Sequence, residues 1–296
     1  MEEFLYWRKK ENFNNRIMKT AILFDIDNTL TPPRQSLQSE MVNILKKLVV
    51  PFHIAAGSHM ELVEEQFFVP LYLGGFSGKF NAFLGNGAIH YFCDYSDRLK
   101  IETVSAFNIR AFLGEEHFQQ IIEILNETLQ LPGFSLPASI EASVDQVVFR
   151  GSMINLCPIG RNNNNPDIYH INRKKFVDFD YKSSYRQHIM EHLKSKLSFY
   201  IQEKDLTITL GGETSLDIGI VNQDKTIAVR TLLEQGIERL IFIGDALFEG
   251  GNDWPIQSFV DNWNSDIKCP LETIQVHDWE DTIETLNTLN LINFRH

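Results

Sequence analysis

Ala21-Ile-Leu-Phe24 is apolar at every position and stops at Asp25. A strand with one wet face alternates polar and apolar residues. A run apolar on both faces belongs to a sheet covered on both sides, the usual setting of parallel strands. The figure returns at 52–56, ending at Gly57-Ser58, and at Leu240-Ile-Phe-Ile243, ending at Gly244-Asp245, while 273–276 reads as a further strand. Between these runs, apolar residues recur at helical spacing: Met41, Ile44, Leu45 and Leu48, then Met60, Leu62, Val63 and Phe67, and near the end Ile283, Leu286 and Leu289. Ser36 or Ser39 is placed to cap the first helix. Alternating strand and helix predict a doubly wound, Rossmann-like parallel sheet of the α/β class.

The middle of the chain breaks this rhythm. Phe118, Ile121, Ile122, Leu125 and Leu129 mark an amphipathic helix, and Tyr185, Ile189, Leu193 and Leu197 a second. Short β-like runs stand at 145–150, 152–157, 206–210 and 214–220. Helices segregated from short strands predict an α+β cap inserted into the core. The expected division is an extension over 1–18, a core over 19–102 and 223–296, and a cap over 103–222. Asn162 to Asn165 reads as an exposed loop.

Charge and cysteine content narrow the function. Lys and Arg number 27 against 39 Asp and Glu, a formal charge of −12, which argues against nucleic acid and anionic membrane as partners. Cys93, Cys157 and Cys269 form no CxxC pair, as expected in a reducing compartment. No apolar run nears the roughly 18 residues of a membrane span. The first eighteen residues lack the apolar stretch of a signal peptide, so the cytoplasm is the expected location.

Chemistry gathers at the strand ends. In Asp25-Ile26-Asp27 the two carboxylates stand at i and i+2 and face one crevice, at the carboxyl end of a parallel strand, where open α/β sheets bind ligands. One carboxylate can attack phosphorus while the other carries protons, with a magnesium ion easing their repulsion. Taken alone, the pair is matched evenly by a solvated acidic turn. Ser58 after the second strand, Lys225 before an apolar helix, and Asp245 after a later strand turn the pair into an ordered set suited to Mg²⁺-assisted phosphoryl transfer. Asp253, in Gly250-Gly-Asn-Asp253, is a weaker candidate, since such a stretch also simply turns the chain.

The chain resembles the haloacid dehalogenase superfamily, and within it the eukaryotic-type phosphomannomutases, from about Lys19 to the mid-280s. Asp25-Ile-Asp-Asn-Thr-Leu-Thr-Pro-Pro-Arg-Gln35 is similar to the family's opening motif. That resemblance implies Asp25 as nucleophile, Asp27 as acid/base and Arg34 as a substrate contact. Phe149-Arg150-Gly-Ser-Met-Ile-Asn155 and Pro158-Ile-Gly-Arg161 resemble the family's cap segment and imply Arg150, Asn155 and Arg161 as contacts to the distal phosphate. Arg173 matches a further cap arginine if the Asn-rich tract is an insertion; a surface salt bridge beside Lys174 and Lys175 is the equal alternative. Gly211-Gly-Glu-Thr-Ser215-Leu-Asp217 resembles the motif whose Ser and Asp engage the sugar. The resemblance further implies Mg²⁺ on Asp25, Asp27 (through its carbonyl) and Asp245, a hexose 1,6-bisphosphate activator, a hexose-phosphate substrate and a homodimer. Asn28 in place of a family glycine, His59 in place of an acid, and Gly-Glu-Thr-Ser in the cap motif are departures.

Three functions fit this pattern: a phosphomannomutase, a sugar-phosphate phosphatase on the same scaffold, and a sugar-phosphate-binding protein without catalysis. Other motifs carry less. His188 and His192 have no third ligand, Gly74-Gly-Phe-Ser-Gly78-Lys79 departs from the P-loop pattern, and no GxSxG elbow occurs.

Overall fold

The computed structural model describes residues 18–161 and 166–293; the Asn162–Asn165 tract and residues 1–17 lie outside them. Strand β1 (Thr20–Phe24) is flanked in parallel by β2 (Phe52–Ala55) and β10 (Arg239–Gly244). The full sheet has seven strands, in the order β11 (Leu271–Gln275), β10, β1, β2, β3 (Lys79–Leu84), β4 (Ile89–Asp94), β5 (Lys100–Ala106). Its parallel part is completed by β3 and β11. From β1 the chain moves to β2 on one side and later returns to β10 on the other. The carboxyl ends of β1 and β10 therefore border the crevice where the winding reverses.

The apolar runs are explained by burial on both faces. Ile22 and Phe24 of β1 pack in one core with Ile54, Ile241 and Ile243, covered by α1 (Ser39–Leu45) and α11 (Trp279–Thr288). Ala21 and Leu23 point the other way, into a core with Leu240 and Phe242, covered by α9 (Thr226–Glu234) and α10 (Trp254–Asp261). Neither Ser36 nor Ser39 caps α1. Gln38 holds the cap position without a side-chain bond, and the Ser39 hydroxyl, already inside the first turn, donates to Glu40.

The expected helix near Met60 is interrupted. Single-turn α2 (Met60–Val63) passes into a π turn at Glu64–Phe68 before α3 (Val69–Leu73) resumes. Beyond β2, three strands not expected from the sequence extend the sheet: β3, parallel to β2, and the antiparallel β4 and β5. Gly85, Asn86 and Gly87, all at positive φ, turn β3 into β4. Strand β5 is largely exposed and paired to β4 as far as Ala106, so the core continues past residue 102. Its Lys100–Glu102 pair is the charged trim expected on a sheet edge.

The insertion is built as an α+β unit. Its antiparallel sheet runs β6 (Val147–Phe149), β7 (Ile154–Leu156), β9 (Ser215–Ile220), β8 (Leu206–Gly211). It shares one apolar core with α4 (Ile109–Leu113), α5 (Glu115–Gln130), α6 (Pro166–Ser183), α7 (Tyr185–Lys196) and α8 (Ser198–Glu203). Among the described residues no helix is long and apolar enough to cross a membrane.

Candidate active site

The end of β1 delivers Asp25 into a buried ionic cluster. Lys225, fully buried just ahead of α9, donates from Nζ to Asp25 Oδ1 at 2.7 Å and to Asp253 Oδ1 at 2.5 Å. Oxygens of Asp25, Asp245 and Asp253 all lie within 4.8 Å of one another. Burial is the largest influence on Asp25 and pushes its carboxyl up, against the pull of Lys225. For Lys225 burial works downward, but two adjacent carboxylates raise it above its usual value. Asp245 is also raised by burial, while an Asn28 Nδ2 hydrogen bond at 3.1 Å opposes the shift.

Three carboxylates against one ammonium leave a formal excess of two negative charges in this pocket. The set fits a hard divalent cation: the donors are all oxygen, they converge, and a double positive charge cancels the excess. Asp253 belongs to the centre rather than to a mere turn. Its Oδ2 also accepts from the Ala246 amide at 3.3 Å. Gly244 makes room for it: a Cβ there would collide with Asp253 Oδ2 and stand 2.6 Å from Phe242. Asn28 takes up φ 59°, a left-handed conformation that a glycine substitute must accept, and asparagine tolerates it well.

One oxygen of the Asp27 carboxylate is held outside the Asp25–Asp245–Asp253 cluster. Oδ1 accepts from the Arg34 amide at 2.7 Å and from Gln66 Nε2 at 2.6 Å. Arg34 is brought beside Asp27 by its main chain, at φ 54°, while the residue is exposed. Ser58 is half-buried after β2, and its carbonyl accepts from Gly85 at 3.1 Å, tying this loop to the β3–β4 turn. His59 is exposed and makes no side-chain cap to α2.

A second network lies on the cap sheet. Arg161 donates through Nε to Asn155 Oδ1 and through Nη2 to Ser215 Oγ, both at 2.9 Å. Buried Asn155 donates in turn to Asp217 Oδ1 at 2.6 Å, across the β7–β9 pair in which the two residues are register partners. Burial raises the Asp217 carboxyl; Asn155, Arg150 and Arg161 oppose it. Arg150 is pushed down by desolvation and then by Arg161, as two like cations brought together require. The structure thus gathers Arg150, Asn155, Arg161, Ser215 and Asp217. Arg173 pairs instead with Glu213 at 2.7 Å, the salt-bridge alternative.

Two contributors were missed from sequence. Gln66 stands in Glu64-Glu-Gln66, which reads as a wet helix face. Arg186 donates to the carbonyls of Gly212 and Ser215 at 2.7 and 3.1 Å, braced by Asp180, and so anchors the turn that carries Ser215. Nothing in its local sequence sets it apart from other helix arginines.

The sequence model of the family described as eukaryotic phosphomannomutase matches residues 38–285, a stretch that begins after the Asp25–Gln35 motif. Similar proteins include the phosphomannomutase of Schizosaccharomyces pombe, 32% identical over 248 residues, covering 82% of this chain and 86% of that one. That of Saccharomyces cerevisiae is 30% identical over 278 residues, covering 93% and 96%. Among solved structures, IMP-bound Plasmodium falciparum IMP-nucleotidase superposes with a TM-score of 0.57 at 16% identity, over 92% of this chain and 68% of that one. Aspergillus fumigatus trehalose-6-phosphate phosphatase gives 0.52 at 14% identity, over 92% and 93%. Identities that low speak to the fold alone.

Proposed function

The chain belongs to the eukaryotic phosphomannomutase family of the haloacid dehalogenase superfamily, and from that premise we propose that it interconverts mannose 6-phosphate and mannose 1-phosphate. The observation that carries the reading is the buried Lys225 bridging Asp25 and Asp253, with Asp245 beside them. Such a cluster strongly disfavours a purely structural role, because a buried ion set seldom stabilises a fold more than an apolar core would.

In this reading Asp25 is the nucleophile. Lys225 holds Oδ1, which leaves Oδ2 to attack phosphorus. Hexose 1,6-bisphosphate is the first donor. Its bond from phosphorus to the sugar oxygen breaks as the aspartyl phosphate forms, Asp27 delivers a proton to the departing oxygen, and a hexose monophosphate remains. The bound hexose phosphate then presents its other hydroxyl, Asp27 takes back a proton, and a hexose 1,6-bisphosphate results. Turned end for end, the bisphosphate returns its second phosphate to Asp25. Asp25, Asp245 and the Asp27 carbonyl would hold Mg²⁺, with Asp253 behind them. When bound, the ion supplies charge neutralisation that lets an anionic carboxylate approach an anionic phosphate.

The cap serves the phosphate that is not reacting. Arg150 and Arg161 form the clamp, since guanidinium groups match phosphate oxygens, and Ser215 and Asp217 meet sugar hydroxyls. Arg34 and Ser58 contact substrate from the core side, and Arg173 is at most an outer contact. We take the core to end at Ala106 and resume near Asn222, and the protein to act as a cytoplasmic homodimer.

The test is to incubate the protein with Mg²⁺, mannose 1-phosphate and catalytic bisphosphate, following mannose 6-phosphate and free phosphate together. Mannose 6-phosphate in large excess over free phosphate is expected. Free phosphate without isomerisation would make the protein a phosphatase.

A further inference from the structure

The π turn at Glu64–Phe68 has an unusual cargo. Gln66, Phe67 and Phe68 are three consecutive buried residues, with Gln66 only 2% exposed. On a regular helix, successive side chains diverge by about 100°, so one of three would normally face outward. The widened turn brings a polar amide inward beside two phenyl rings, and π turns are frequent at functional sites.

Gln66 grips the nucleophile loop at three points. Its Nε2 donates to Asp27 Oδ1 at 2.6 Å and to Thr31 Oγ1 at 2.7 Å. Its main-chain carbonyl accepts from the Leu37 amide at 2.8 Å. The other amide atom, Oε1, is buried without a hydrogen-bond partner in the structure. An apolar side chain of similar size would fill this space without an orphaned acceptor. The amide is therefore poorly explained by packing and well explained by what its NH₂ group holds.

Building on the proposed roles of Asp25 and Asp27, we propose that Gln66 is a positioning residue for the acid/base step. Gln66 Nε2 and the Arg34 amide both donate to Asp27 Oδ1, so rotation of the carboxyl group is arrested. Oδ2 becomes the oxygen that carries the proton, held at one place relative to the leaving group. Gln66 acts through Asp27 and touches no reacting atom.

The test uses leaving groups that differ in their need for a proton. A sugar alkoxide must be protonated as it departs, whereas acetate leaves from acetyl phosphate unaided. First-turnover formation of the aspartyl phosphate is measured by rapid quench on the Mg²⁺-loaded full chain, from hexose 1,6-bisphosphate and from acetyl phosphate. The Gln66→Leu variant is expected to slow the sugar-phosphate reaction about 10- to 100-fold, part of the general-acid contribution, and the acetyl phosphate reaction by less than about threefold. The ratio of the two rates on one preparation is independent of the folded fraction, so partial misfolding does not blur the result. Asp27→Asn is the reference and should show the same selectivity more strongly. If Asp27→Asn slows both donors alike, the acid role of Asp27 fails and the inference with it. If Asp27→Asn is selective and Gln66→Leu is not, Gln66 is a packing residue and the inference alone is overturned.

Discussion

At the residue scale, the pocket depends on a few positions where chemistry and sterics leave little choice. Among the described residues Lys225 is the one cation paired with the buried carboxylates of Asp25 and Asp253, so its loss strands both. Lys225→Met should destabilise the protein by about 3–5 kcal/mol at neutral pH. Urea unfolding would show it, with a smaller loss in acid, where the carboxylates take up protons. Gly244→Ala places a methyl group against Asp253 and Phe242, and an overpacking cost of about 1–3 kcal/mol should accompany loss of activity. Full activity in that variant would mean that Asp253 can move without consequence. Asp25 and Asp245 were legible from sequence because each ends a run of buried strand. Asp253 was undervalued because Gly-Gly-Asn-Asp suits an ordinary turn; what buries it is the close approach to Gly244, a contact distant enough in sequence to leave no local pattern.

At the element scale, four of the five parallel strands announced themselves, while β3 and the two antiparallel strands beyond it did not. Strands covered on both faces must be continuously apolar, and 21–24 and 240–243 are. Strands β3 to β5 mix lysine, asparagine, histidine and acidic residues, because they lie toward one edge and enclose a polar network. In that network His53 Nδ1 accepts from the Asn81 amide at 3.0 Å, and His90 Nε2 meets Asn81 Oδ1 at 2.8 Å. Burial, then the neighbouring His90, pushes His53 down to about 4 from 6.5. A histidine depressed on folding contributes stability above its unfolded pKa. Between 6.5 and 4 the unfolded chain binds the extra proton, so stability falls as pH falls through this window. From this residue the loss between pH 7 and 5 should be about 2 kcal/mol in urea unfolding. A His53→Gln variant with an unchanged pH slope would show that the imidazole titrates normally. The π turn was likewise illegible, since Glu-Glu-Gln carries the composition of a solvent-facing helix whatever its winding.

At the scale of the whole molecule, one sheet carries the nucleophile cluster and another, inserted between its halves, carries the arginine network. Among the described residues the two networks share no hydrogen bond. Their separation makes their roles separable by experiment. Arg161→Ala removes a charge-assisted contact to the distal phosphate, and mannose 1-phosphate isomerisation should fall by about one to two decades. Hydrolysis of p-nitrophenyl phosphate, which has no distal phosphate, should change little. A parallel fall in both activities would make Arg161 a support of the fold, a role its bonds to Asn155 and Ser215 also suit. The central claim is that the phosphoryl group passes through Asp25. Its most direct measurement is to quench the Mg²⁺-loaded enzyme during turnover, reduce the acyl phosphate with labelled borohydride, and locate the label by peptide sequencing. Label at residue 25, as the corresponding alcohol, and none in the Asp25→Asn variant, is the expected result. Label at Asp27, Asp245 or Asp253, or its persistence in Asp25→Asn, would contradict it.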